Sequence, residues 1–164
     1  MLGISACAKA AGTGSPPEPA QVLTAELHDS QGTLVAKARV TPRGTDSVDV
    51  VIDATAAMPA GTHGVHLHAV GKCEALTFVS AGGHLNPKAK KHGLKNPDGP
   101  HAGDMMNYEG GHGAFVAAAS WREVDDADGT AIVIHAGADD QMTDPSGNSG
   151  ARVACGELKG GSGY

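Results

Sequence analysis

Gln21–Ile52 reads QVLTAELHDSQGTLVAKARVTPRGTDSVDVVI, and this stretch decides the fold. Apolar and polar residues alternate or run in short apolar groups through Gln21–Leu27, Thr33–Val40 and Val48–Ile52. A period of two marks a strand with one buried face. The clusters DSQG (29–32) and PRGTD (42–46) fall between these runs. Glycine tolerates positive φ and Asp bonds its own backbone, so both clusters read as turns. Further out, Val65–His68, Ala114–Ala119 and Thr130–Ala136 read as strands, with a last one near Arg152–Cys155. Six to eight short strands at this spacing predict an all-β antiparallel sandwich or barrel. No stretch carries a helical period.

Composition agrees. Glycine is 24 of 164 residues and aromatics are 3%, which favours turns, bulges and short strands over long helices. The length suits one domain able to bury its own core. We assign that domain to residues 21–160. Residues 1–20 read as a flexible N-terminal tail, because AKAAGTGSPPEPA (8–20) is small, polar and Pro-rich. A formal net charge of −6 argues against nucleic acid as a partner, which calls for a basic patch. No apolar run is long enough to span a bilayer.

Six histidines and one aspartate carry the chemistry: His66, His68, His84, His92, His101, His135 and Asp104. Neutral imidazole suits zinc and copper, and a carboxylate can complete a zinc site. Seven such groups exceed the needs of one four-coordinate metal, so two metals, or one metal with bystanders, both fit. Residues two apart on a strand share a face, so His66 and His68 point together, opposite Val65 and Leu67. With Leu67 in the core, both imidazoles lie on the outer face of the sheet. His84, His92 and His101 fall in residues 69–103, a stretch with no convincing strand. A loop that long is usually functional or disordered, and metal ligation would order it. A His3Asp set with no open position reads as structural zinc, and imidazole ligation with an open position as redox copper.

The chain has three cysteines, Cys7, Cys73 and Cys155. Ile4-Ser5-Ala6-Cys7 resembles the lipobox before a lipidated bacterial cysteine, without the basic and longer apolar segments of a full export signal. Residues 1–7 therefore read either as the remnant of a lipoprotein signal, with Cys7 as lipid anchor and membrane tether, or as plain tail. Cys73 and Cys155 read either as a disulfide, which persists outside the cytosol, or as two buried thiols.

Taken in order, GVHLHAVGKC, SAGGHLNP, His92, HAGD, IVIHAGADD and GNSGARVACG resemble the copper/zinc superoxide dismutase family, most closely its exported bacterial branch. The likeness runs from about Gln21 to Leu158. It implies a Greek-key β-sandwich or flattened barrel of about eight antiparallel strands with two long functional loops. It implies copper on His66, His68, His84 and His135, and zinc on His84, His92, His101 and Asp104, with His84 shared. Asp139 would link a copper histidine to a zinc histidine, and Cys73–Cys155 would be a disulfide. Arg152 and His84 would be the catalytic residues and superoxide the substrate, in a periplasmic or cell-envelope setting. The family includes monomers and dimers, so a homodimer is one assembly it allows. A non-catalytic copper/zinc carrier or buffer on the same fold is the competing reading, and an adhesion sandwich with incidental histidines is a third. The 136–151 segment is acidic, which leaves Lys88, Lys90, Lys91 and Lys95 as candidates to guide an anion. His28, His63 and His112 match no ligand position and read as surface or loop residues.

Overall fold

The structure is a computed structural model that describes residues 21–160. The expected tail and Cys7 lie outside the described residues. Three consecutive strands open the fold: β1 (Leu23–Asp29), β2 (Leu34–Arg43) and β3 (Ser47–Ala54). The Asp29 carboxylate accepts from the main-chain N–H groups of Gln31 and Thr33, at 2.9 and 2.8 Å, and closes the first turn. Gly44, at φ +67, supplies the backbone conformation that the second requires. After these come β4 (Val65–His68), β5 (His112–Ala117), β6 (Ala131–His135), β7 (Arg152–Glu157) and the two-residue β8 (Lys159–Gly160).

All pairings are antiparallel, in the order β4-β6-β7-β1-β2-β3-β5, with β8 beside β1. The chain leaves β3 at one side of the sheet, forms β4 at the far end, and returns to place β5 next to β3. These crossing connections give the expected Greek-key character. The two ends of the sheet approach through an isolated bridge, in which His63 and Tyr108 exchange main-chain hydrogen bonds of 2.8 Å each. The result is the nearly closed all-β barrel that the alternation predicted.

The strand periodicity sorts side chains as expected. Leu23, Ala25 and Leu27 of β1, Val48, Val50 and Ile52 of β3, Val65 and Leu67 of β4, and Ile132 and Ile134 of β6 fill one core. A second, smaller cluster lies outside the barrel, where Phe78 and Ala81 cover Ala131, Val133 and Cys155. Strand β6 is therefore buried on both faces.

Two local expectations shift. The strand expected at Ala114–Ala119 begins at His112, where the ring Nδ1 donates to the Asp53 carboxylate across the β3–β5 ladder at 2.7 Å, and it ends at Ala117. The lost residues lead into a single helical turn, α1 (Trp121–Val124), which no periodicity announced. Its capping box is local: Ser120 and Glu123 satisfy each other's main-chain N–H groups, so one turn can form without an amphipathic face.

Candidate metal centre

Strand β4 places Val65 and Leu67 in the core and His66 and His68 on its other face. These rings are nonetheless buried. One edge of β4 pairs with β6; along the other run residues 84–85 and 103–104 of the long loop. Leu85 N donates to Leu67 O at 2.8 Å, and Leu67 N to Gly103 O at 2.9 Å. The loop is thus fastened by main-chain bonds to the strand that carries the first two histidines. Gly103 lies directly against the Leu67 carbonyl, where a side chain would collide.

His84 and His135, from the loop and the end of β6, complete a group of four. The His84 ring stacks on His66 at 3.9 Å between centroids, and His135 lies 4.9 Å from His66. His66, His68, His84 and His135 each offer a ligand atom within 4.8 Å of the others. Four buried ring nitrogens here have no hydrogen-bond partner: His66 Nδ1, His68 Nε2, His84 Nε2 and His135 Nε2. The opposite nitrogens are all engaged: His66 Nε2 with Asp139 Oδ2 at 2.7 Å, His68 Nδ1 with Gly82 O at 3.0 Å, His84 Nδ1 with Asp104 Oδ1 at 2.9 Å, and His135 Nδ1 with Gly150 O at 3.1 Å. A buried polar atom left unpaired costs about 1–3 kcal/mol. Four such atoms converging on one point fit a cation that takes imidazole nitrogen, as copper does.

Burial is also what keeps these rings neutral. It pushes His66 down to about 3 and His135 to about 4, and it lowers His68 and His84 as well; the neighbouring rings add to the effect. Neutral rings have lone pairs free for a metal at physiological pH.

The zinc candidates converge beside them. Asp104 Oδ1 lies 2.9, 3.1 and 3.3 Å from the Nδ1 atoms of His84, His92 and His101. Asp104 Oδ2 accepts from Gly93 N at 2.8 Å and from His101 N at 2.9 Å, so the main chain fixes the carboxylate. Three Nδ1 atoms around one carboxylate oxygen suit tetrahedral zinc. Burial opposes charge on His92, but its bonds to Asp104 and Asp139 outweigh that and raise it to about 9. Burial likewise opposes ionisation of Asp104, and the bonds from His84 and His92 overcome it, so the carboxyl stays well below its usual range. His84 faces both groups, with Nε2 to the first and Nδ1 to the second.

Asp139 joins the halves. Its Oδ2 meets His66 Nε2, and its Oδ1 meets His92 Nε2 at 3.0 Å and Gln141 N at 2.6 Å. Such outer partners fix the tautomer of each ring. Asn107, unmarked by the sequence pattern, exchanges two hydrogen bonds with the Asp139 main chain, at 2.9 and 2.8 Å. The acidity of this segment turns inward or is spent locally. Asp140 accepts from Met142 N, Thr143 N and Asn148 Nδ2, and Asp144 pairs with Lys91.

Arg152 donates from Nη1 to Phe78 O and from Nη2 to Gly82 O, both at 2.6 Å. Gly82 O is the acceptor that also orients His68. Cys73 and Cys155 are bonded, with Cα atoms 5.7 Å apart across a sequence separation of 82. The 73–82 loop is therefore held by the disulfide, by Arg152 and by the outer apolar cluster.

Among the remaining expectations, Lys88, Lys90 and Lys95 are exposed, while Lys91 is engaged with Asp144 at 2.9 Å. His28 is partly exposed and His112 is exposed. His63 requires correction: it is no surface residue but is 3% exposed, with Nδ1 donating to the main-chain carbonyl of His135 at 2.8 Å.

Fold and site together define an all-β metalloprotein with two adjoining, buried metal positions. Residues 31–158 match the model of the copper/zinc superoxide dismutase (SODC) family, and the chain belongs to that family. Its metals are copper and zinc; His66, His68, His84 and His135 form one group able to hold an ion, and His84, His92 and Asp104 form a second with His66, His101 lying just outside it. The chain is 40% identical over 146 residues to superoxide dismutase [Cu-Zn] 2 of Aquifex aeolicus, covering 82% of this chain and 85% of that one. It is 35% identical to the superoxide dismutase-like protein YojM of Bacillus subtilis, over 97% of this chain and 91% of that one. The crystal structure of a SOD-like protein from Bacillus subtilis superposes with a TM-score of 0.73 at 36% identity, covering 83% of this chain and 97% of that one.

Proposed function

We propose that this protein removes superoxide, converting two superoxide ions and two protons into dioxygen and hydrogen peroxide. The observation that carries the reading is the set of four unpartnered imidazole nitrogens beside an arginine. His66, His68, His84 and His135 would hold copper, whose chemistry there would be a one-electron redox couple. His84 would exchange a proton at Nε2 while Nδ1 stays committed to the zinc half. Asp104, His92 and His101 hold that ring in place as the proton moves. Arg152 gives two N–H groups to the loop carbonyls and keeps others of its five for a small anion. Lysine would bring charge but not the planar fork that spans Phe78 O and Gly82 O.

A metal carrier without catalysis is the second reading, supported by the likeness to a protein described only as superoxide dismutase-like. The rate of superoxide removal by protein loaded with one copper and one zinc per chain separates the two. Rapid, copper-dependent removal supports the enzyme; stoichiometric metal uptake with no removal supports the carrier. We further infer a location outside the cytosol, in the periplasm or cell envelope, on the strength of the Cys73–Cys155 bond. Mass spectrometry of the protein from its native source tests a lipid anchor on Cys7: an unmodified Cys7 in an intact N-terminus refutes it.

A further inference from the structure

The loop between β6 and β7 lies across residues 91–96. Lys95 N donates to Gln141 O at 3.0 Å, and Asn96 Nδ2 to Met142 O at 3.1 Å. Gly93, at φ +105, is pressed against the main chain of Gln141, where any side chain would collide. The shortest of these cross-loop bonds runs from His92 N to Asp144 Oδ1, at 2.6 Å. The other oxygen, Asp144 Oδ2, pairs with Lys91 Nζ at 2.9 Å, and both those side chains are well exposed. The next peptide N–H, that of Gly93, goes to Asp104 Oδ2. Two carboxylates from different segments therefore fix the main chain on either side of the His92 Cα. Ring contacts alone would leave that main chain free to swing, because residues 91–96 belong to no strand.

We infer that Asp144 is a positioning residue for zinc. By holding the His92 main chain through Oδ1, it sets the ring before the metal arrives. The inference rests on the zinc reading of the Asp104 cluster. Asp144 itself touches no proposed ligand atom. Its effect is confined to the half of the site carried by the loop, since His66, His68 and His135 sit on β4 and β6. The acceptor oxygen is what matters, not the ion pair: an exposed pair such as Lys91–Asp144 contributes little, whereas a main-chain N–H given to a carboxylate is a charge-assisted bond.

The test uses Asp144→Ala, Asp144→Asn and Lys91→Ala in the full chain. Zinc and copper affinities are measured separately by chelator competition, and the visible spectrum of cobalt at the zinc position reports its geometry. Loss of an outer partner weakens metal binding by roughly 10- to 100-fold. We expect Asp144→Ala to lose zinc affinity on that scale with a changed cobalt spectrum and unaltered copper affinity. Asp144→Asn, whose amide oxygen can take the same N–H, recovers most of the loss, and Lys91→Ala matches the wild type. Wild-type zinc affinity in Asp144→Ala overturns the inference. So does Lys91→Ala reproducing the loss, or an equal loss of both metals, which would mean general loosening of the fold. A wild-type protein that takes up no zinc would refute the zinc reading itself.

Discussion

Asp139→Asn separates the two metal positions by the rigidity of what carries them. Three donors converge on this carboxylate: His66 Nε2–H at 2.7 Å, His92 Nε2–H at 3.0 Å and Gln141 N–H at 2.6 Å. Asparagine keeps the shape but has one acceptor oxygen and brings two N–H groups of its own. Whichever way the amide turns, a ring N–H faces a donor. His66 cannot give way, because β4 is fastened to β6 from Val65 to His68. His92 lies on a loop held by two side-chain carboxylates and by no strand ladder, so it yields first. The strain therefore passes to the zinc half, with one charge-assisted bond lost there, worth roughly 1.5–3 kcal/mol. That range corresponds to zinc affinity lower by about 10- to 150-fold, while copper affinity changes less. Competition against chelators, one metal at a time with the other site filled, reads both numbers. Unchanged zinc affinity, or copper weakened as much as zinc, refutes the argument from strand and loop.

Gly147→Ala should act on the same carboxylate from the other side. Gly147 sits at φ +62, and an added Cβ would strike the Asp139 carboxylate and come within 2.8 Å of His92 Nε2. The backbone term alone costs roughly 1–2 kcal/mol, so we expect a lower unfolding midpoint together with weaker zinc binding; wild-type stability contradicts the geometry. Arg152→Ala should retain both metals but slow superoxide removal by on the order of tenfold or more, from the lost charge-assisted contact; equal rates at low salt contradict the role proposed for it. Metal uptake should differ in proton release. His92, raised to about 9, holds its extra proton at pH 7 in the metal-free protein, whereas His66 and His135, lowered to about 3 and 4, are already neutral. With each metal added alone to the metal-free protein, zinc should therefore displace about one proton per site at pH 7 and copper none from His66 or His135, and the zinc release should vanish as pH rises through about 9. Calorimetry in buffers of different ionisation heat measures it, and equal release on copper binding would contradict the assignment.

The strands were legible because each carries its own period. Leu67 and Val65 point inward for the same reason that His66 and His68 share the outer face, and alternation states both facts at once. What could not be read locally is how that outer face becomes buried. It takes main-chain bonds from Leu85 and Gly103 to β4, and a second loop laid over the first by Asp139 and Asp144. These are contacts between residues 18 to 52 apart in the chain, made by groups that every residue has or by aspartates that look like any others in an acidic stretch. The same holds for His63, whose ring reaches the carbonyl of His135 and so ties the closing edge of the barrel to the end of β6. The sequence therefore marks which side chains can bind a metal, by type and spacing. The alternation also marks the mounting, strands for His66, His68 and His135 and a loop for His84, His92 and His101; how that loop is locked over the strand exists only in the fold. That difference in mounting makes the zinc half the one more easily lost when an outer carboxylate is removed.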